Sequence, residues 1–215
     1  MTGDAPTMRR MGISWIVAVV LTWSGAAAQP ALERRTMLQE ADAIWRAHGV
    51  AIVAVAPEQA ITPPTPDVGF DVRLDVRLAR PARRPAAPLR RERLGAILFD
   101  HDNVPATTLT IDVAAVEATV ARTRWGGRPF DLFPQAWQHT LVGRALGRVL
   151  AHEIGHYLLA SRVHTADGLM RASFDGDELL RPARGGFAVA ARDLPRLRAR
   201  LAGLARGSSL AENAR

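Results

Sequence analysis

Residues 149–158 read Val-Leu-Ala-His-Glu-Ile-Gly-His-Tyr-Leu, and this stretch carries the side chains whose types and spacing point most directly to a chemistry. On a helix, positions four apart lie one turn apart on the same face. His152 and His156 can therefore aim two imidazole nitrogens at one point, and Glu153 stands where it can reach a water held there. That is the donor set of a hydrolytic zinc centre, in which Glu153 is the general base. The five-residue pattern recurs by chance, but its flanks agree: Ile154 and Gly155 carry no charge, Tyr157 and Leu158 continue the apolar face, and Val149 sits three residues before the first histidine.

A catalytic zinc needs a third protein ligand. His164 follows His156 by eight residues, which on an unbroken helix is about 12 Å along the axis and out of reach. It can join the pair only if the helix stops near Ala160-Ser161 and the chain folds back. Glu178 is the alternative third ligand, with Asp167 and Asp175 behind it. His48, His101 and His139 read as surface or capping histidines. Arg162, Arg171 and His139 are candidates for a second electrophile opposite developing negative charge.

The segment 149–171 resembles the metzincins, and among them most closely the matrixins. The positions that match are His152, Glu153, His156, His164 and Met170, with His164-Thr165 and Gly168-Leu169-Met170 similar to the matrixin ending. The resemblance implies a zincin fold, zinc as cofactor, three histidine ligands, a methionine turn at Met170 and hydrolysis of peptide or protein substrates. The pattern departs in three places. Arg162 stands where the family has its third histidine, Leu159 where it has its turning glycine, and no tyrosine follows Met170.

The rest of the chain bounds these expectations. Arg9 and Arg10, the apolar run Ile13 to Trp23 and Ala26-Ala27-Ala28 read as an export signal over 1–28, cut after Ala28. The destination would be secreted or periplasmic, with no stable membrane anchor once the signal is removed. The remainder suffices for one domain, expected over 29–206, with a disordered tail over 207–215. There is no cysteine, so disulfides and thiolate metal sites are excluded and a metal must take histidine or carboxylate ligands. The net charge is +7 and all 28 basic residues are arginine. Uniform arginine with abundant alanine speaks for base composition, and no nucleic-acid partner is expected.

The elements that must position the histidines follow from periodicity. An amphipathic helix is expected from Ala31 to Ala47, then strands over 50–55, 68–79, Gly95–Phe99 and Thr108–Val113. Phe70, Val72, Leu74, Val76 and Leu78 alternate with charged residues, so one face of that strand is buried. Asp112 caps a short helix, Arg124 to Phe133 is a loop, and the active-site helix runs from about 134 to 160. Asp193 caps a last helix striped by Leu194, Leu197, Leu201 and Leu204. The class is α+β: a small mixed sheet packed on a long active-site helix, with a small helical C-terminal region. The strand nearest before the long helix would seat an extended peptide by edge pairing. Three other functions fit the sequence: an exported zinc-binding protein without catalysis, an exported interaction protein using the arginine-rich loop 79–93, or a zinc hydrolase of a non-peptide bond such as a cell-wall amide.

Overall fold

The computed structural model describes residues 17–24, 29–55, 71–80 and 93–212. Five strands form one mixed sheet in the order β2-β1-β3-β5-β4, where β1 is Val17–Ser24, β2 Val50–Ala54, β3 Asp71–Ala79, β4 Gly95–Phe99 and β5 Pro105–Asp112. β1, β2, β3 and β5 run parallel, and β4 closes one edge antiparallel to β5. Helices α1 (Ala31–Arg46), α2 (Val113–Ala121), α3 (Gln135–Leu159), α4 (Gly176–Leu180) and α5 (Leu194–Glu212) complete the domain. The class is α+β, as the periodicity implies.

The expected single-faced strand is β3, with Val72, Leu74, Val76 and Leu78 buried; residues 68–70 lie outside the described ones. β5 and β4 meet α3, whose buried side runs from Leu141 to Leu159. The α1–α3 contact is unusually close. A methyl on Gly143 would stand 2.7 Å from the Glu33 carbonyl oxygen, and one on Gly147 2.6 Å from that of Met37. Two glycines four apart on one face of α3 let the backbones touch, and the Trp45 indole then donates to the Ala151 carbonyl at 3.1 Å.

Three segments bear on these expectations. The apolar run assigned to a signal supplies β1, an inner strand paired with β2 on one side and β3 on the other. Val17, Ala18, Val19 and Leu21 are fully buried. A short run rich in valine reads equally as a signal core and as a parallel strand buried on both faces, so the pattern alone could not separate them. Cutting after Ala28 would take β1 out of the middle of the sheet and strand two ladders of backbone donors and acceptors. Helix α5 continues to Glu212, with the good helix formers Leu210, Ala211 and Glu212 in its last turn. Finally, the 124–133 loop holds a small hairpin, β6 (Arg124–Trp125) and β7 (Arg128–Pro129), turned by Gly126 and Gly127 at positive φ. Most of the arginine-rich stretch, 81–92, lies outside the described residues, while Arg80 is held by Glu117. Among the described residues no helix is long and apolar enough to cross a membrane.

A chain shortened to begin at Gln29 is therefore expected to lose cooperative thermal unfolding and its near-ultraviolet dichroism. If that shortened chain folds as cooperatively as the full one, β1 is dispensable and the sheet assignment is wrong.

Candidate metal centre

α3 delivers His152, Glu153 and His156 from its last two turns, all buried. The helix ends at Ala160, which adopts the left-handed conformation (φ 44°, ψ 51°). Ser161 N–H then reaches back to the His156 carbonyl at 3.2 Å and Ala160 N–H to that of Tyr157 at 3.1 Å. This is the reversal that geometry demands, and the left-handed Ala160 makes it. A non-glycine residue at positive φ carries strain of order 1–2 kcal/mol, tolerated because it satisfies the terminal carbonyls.

The reversal brings His164 back. Single ring nitrogens of His152, His156 and His164 lie within 4.8 Å of one another. The ring of His164 stacks on that of His152 at 5.3 Å and stands edge-on to that of His156 at 4.9 Å. Below them, Thr165 N–H donates to the Met170 carbonyl at 2.8 Å and Leu169 N–H to that of Ala188 at 2.8 Å, which fixes the turn. Gly168 makes that turn with φ 71°. Met170 is buried against α3, where its sulfur occupies the space a side chain at Gly155 would need.

The hydrogen bonds decide what the cluster can hold. His152 Nδ1–H donates to the Leu169 carbonyl at 2.7 Å, and His156 Nδ1–H to that of Ser161 at 2.6 Å. A carbonyl only accepts, so both protons sit on Nδ1 and both Nε2 atoms expose lone pairs. Those two Nε2 atoms are 3.0 Å apart. Two lone pairs at that distance repel unless a cation lies between or beside them. A proton is a poor choice: burial pushes His152 down to about 3, despite the Leu169 hydrogen bond, and burial also lowers His156 and His164. A borderline metal ion bound by neutral imidazoles fits, and the backbone carbonyls supply the outer support such ligands need.

Glu153 lies over the cleft floor, beneath the start of β4. A methyl on Gly95 would come within 2.6 Å of its Oε1, so glycine there makes room for the carboxylate. Burial raises Glu153 to about 8, against the opposing charge of Arg93. The cleft is about 980 Å³ and is walled by β4, the three histidines, Glu153 and the segment 171–175. Its edge strand is β4, which corrects the expectation that the strand nearest before α3 seats a peptide: β5 lies inside the sheet.

The alternative ligands are occupied elsewhere. Glu178 takes Arg171 Nη1–H at 2.7 Å and closes a capping box with Asp175, accepting from Asp175 N–H at 3.1 Å while Asp175 accepts from Glu178 N–H at 2.7 Å. Asp167 pairs with Arg192. Of the candidate electrophiles, His139 is held by Glu33 at 2.6 Å and Arg171 by Glu178, while Arg162 lines the cleft. His101 is exposed beside Asp102, and His48 packs edge-on to Trp45. Asp193, expected to cap α5, immediately precedes its first residue, Leu194, and ends the 3-10 turn Ala191–Asp193 that leads into it.

Sequence reasoning missed Arg148, one turn before His152 and wholly buried. Its Nε donates to Glu40 at 2.9 Å, and its other nitrogens donate to the carbonyls of Glu178, Arg181 and Ala183. Arg184 closes on the second Glu40 oxygen at 2.8 Å. The guanidinium thereby ties α3 to α1 and to the segment that forms the far cleft wall. An arginine on an otherwise apolar helix face is the signal, but nothing local names its partner.

No family model and no curated protein matches this sequence. Among solved structures, archaemetzincin from Methanopyrus kandleri is similar to this chain with a TM-score of 0.45 and 14% identity, over 91% of this chain and 99% of that one.

Two outcomes follow. Ala160→Val forces a branched side chain into the left-handed region, so it should cost about 1–3 kcal/mol in chemical denaturation and weaken metal uptake. Ala160→Gly should preserve both, and equal behaviour of the two variants would remove the reversal as a constraint. The second concerns pH in the metal-free protein. Glu153 binds its proton more tightly folded than unfolded, so its contribution is full below about pH 4.5 and disappears as pH rises toward 8. Glu153→Gln should therefore gain stability relative to wild type between pH 5 and 8. A stability difference that stays flat across that window would mean the carboxyl is not buried as described.

Proposed function

We propose that this chain is a zinc-dependent metallopeptidase, with His152, His156 and His164 as ligands and Glu153 as general base. The observation that carries the reading is the pair of bare Nε2 lone pairs held 3.0 Å apart by carbonyl-anchored rings, with the third imidazole folded beside them. The donor set, three neutral nitrogens and no thiolate, suits a catalytic zinc site that leaves a position open. When bound, zinc supplies Lewis acidity that polarises a carbonyl and brings the pKa of water to roughly 7.

The residues of the chain do the remainder. Glu153, buried beneath β4, takes the proton of the attacking water and delivers it to the departing amine. β4 offers the cleft its outer edge, so an extended peptide can add as a further strand and lie across the histidines. Phe174, edge-on to His152 at 5.7 Å and stacked on Phe187 at 4.9 Å, gives the opposite wall an apolar surface.

Export to a secreted or periplasmic destination rests on residues 1–28 alone, and the place of β1 in the sheet weighs against cleavage after Ala28. A zinc-binding role without catalysis would leave the burial of Glu153 beside the cleft unused.

The test combines metal and turnover. Wild type should cleave casein or quenched peptides when zinc is supplied, and Glu153→Ala should keep zinc while losing at least about 100-fold in rate. His164→Ala should lose zinc, whereas Glu178→Ala should keep it. Unchanged cleavage by Glu153→Ala would overturn the mechanism, and zinc loss in Glu178→Ala would overturn the ligand set.

A further inference from the structure

The charges lining the cleft are unevenly compensated. Four arginines line it, Arg93, Arg122, Arg162 and Arg171, together with the carboxylates Glu153, Asp175 and Glu178. On the wall formed by 171–178, Arg171 is paired with Glu178, while Asp175 accepts from the Glu178 backbone N–H. Arg122 is engaged by Thr119 at 3.4 Å and has further contacts. The β4 side differs. Arg93, exposed just before β4, has no ion pair or hydrogen-bond partner among the described residues, yet its charge reaches both Glu153 and His164. Arg162 lies at the other end of β4, where Nη2–H donates to the Asp100 carbonyl at 2.7 Å and the guanidinium covers the Phe99 ring at 5.1 Å. No carboxylate meets it among the described residues. Leu98, 74% exposed, gives the cleft an apolar surface on β4 between them.

We propose that Arg93 and Arg162 are specificity-determining residues that select extended peptides bearing acidic side chains, held along the β4 edge with one cation at each end of the strand. This rests on the peptidase reading. Five residues of β4, at about 3.4 Å each, seat a segment of comparable length. A carboxylate on that segment gives an arginine fork the bidentate partner it lacks in the free protein. The backbone bond from Arg162 to Asp100 uses one nitrogen and leaves the other donors of the fork for a ligand. The stack on Phe99 holds the fork in place, so less side-chain freedom is lost on binding. Because both cations stand at the solvent side, the preference should weaken as salt shortens the screening length, about 8 Å at physiological ionic strength.

The experiment measures binding apart from turnover. Fluorescein-labelled peptides with glutamate on both flanks, their glutamine-matched counterparts and lysine-matched counterparts are titrated by anisotropy into the full-length Glu153→Ala protein, with and without zinc. The glutamate peptide should bind at least about tenfold tighter than the glutamine peptide at low salt, with the lysine peptide weakest. Arg93→Gln with Arg162→Gln should abolish the difference, and Arg93→Lys with Arg162→Lys should restore part of it. Equal binding of all three peptides, no binding of any, or a preference untouched by the double glutamine variant would overturn the proposal. If charge-dependent binding holds but zinc-loaded wild type cleaves none of the peptides, the peptidase reading falls and the charge selection stands.

Discussion

Two imidazoles facing each other through unprotonated nitrogens is an arrangement a folded protein adopts only under constraint. Here the constraint is two backbone carbonyls, Leu169 and Ser161, each taking the Nδ1 proton of one ring. Everything that positions those carbonyls thereby positions the site. The Ser161 carbonyl depends on the left-handed turn at Ala160, and the Leu169 carbonyl on the turn pinned to Met170 and Ala188. Repulsion between the lone pairs is relieved by a cation, so the site stores in its hydrogen bonds a preference for being metallated. Burial adds to this by making the competing cation, a proton, unfavourable.

The scaffold is stiff where the site needs it. α3 lies against α1 at glycine contact distance, and Arg148 spends its donors on Glu40 and three carbonyls of the segment 178–183. Removing one partner of a buried pair of this kind costs about 3–5 kcal/mol, since the other is left charged in a dry place. The same guanidinium also stacks on Phe187 at 4.3 Å, and Phe187 on Phe174, which meets His152. Packing in the core thus continues without a break to the wall of the cleft. On the open side β4 presents exposed Leu98 and the cations that flank it.

What the residues disclosed before any fold was in view follows from how local each signal is. His152, Glu153 and His156 are one helix turn, and reach alone required the break that Ala160 makes. The alternation of Val72, Leu74, Val76 and Leu78 was enough for β3. The strand β1 was hidden because a run of valines has no periodicity to separate a buried strand from a signal core. Glu178 is a candidate ligand on its spacing from His156 alone; the structure commits it to a capping box with Asp175 and an ion pair with Arg171. Arg148 and Glu40 lie 108 residues apart, a pairing that only the α1–α3 contact creates. The cleft arginines were visible as charges, while which of them lack carboxylate partners depends on the tertiary structure.

The most direct test of the central claim is zinc K-edge absorption on the full-length protein loaded with one equivalent of zinc. Three imidazole nitrogens at about 2.0–2.1 Å with one further light atom are predicted. A first shell with fewer than three imidazoles, or failure of the protein to hold zinc through dialysis, would contradict the claim that these three rings are folded around a metal ion.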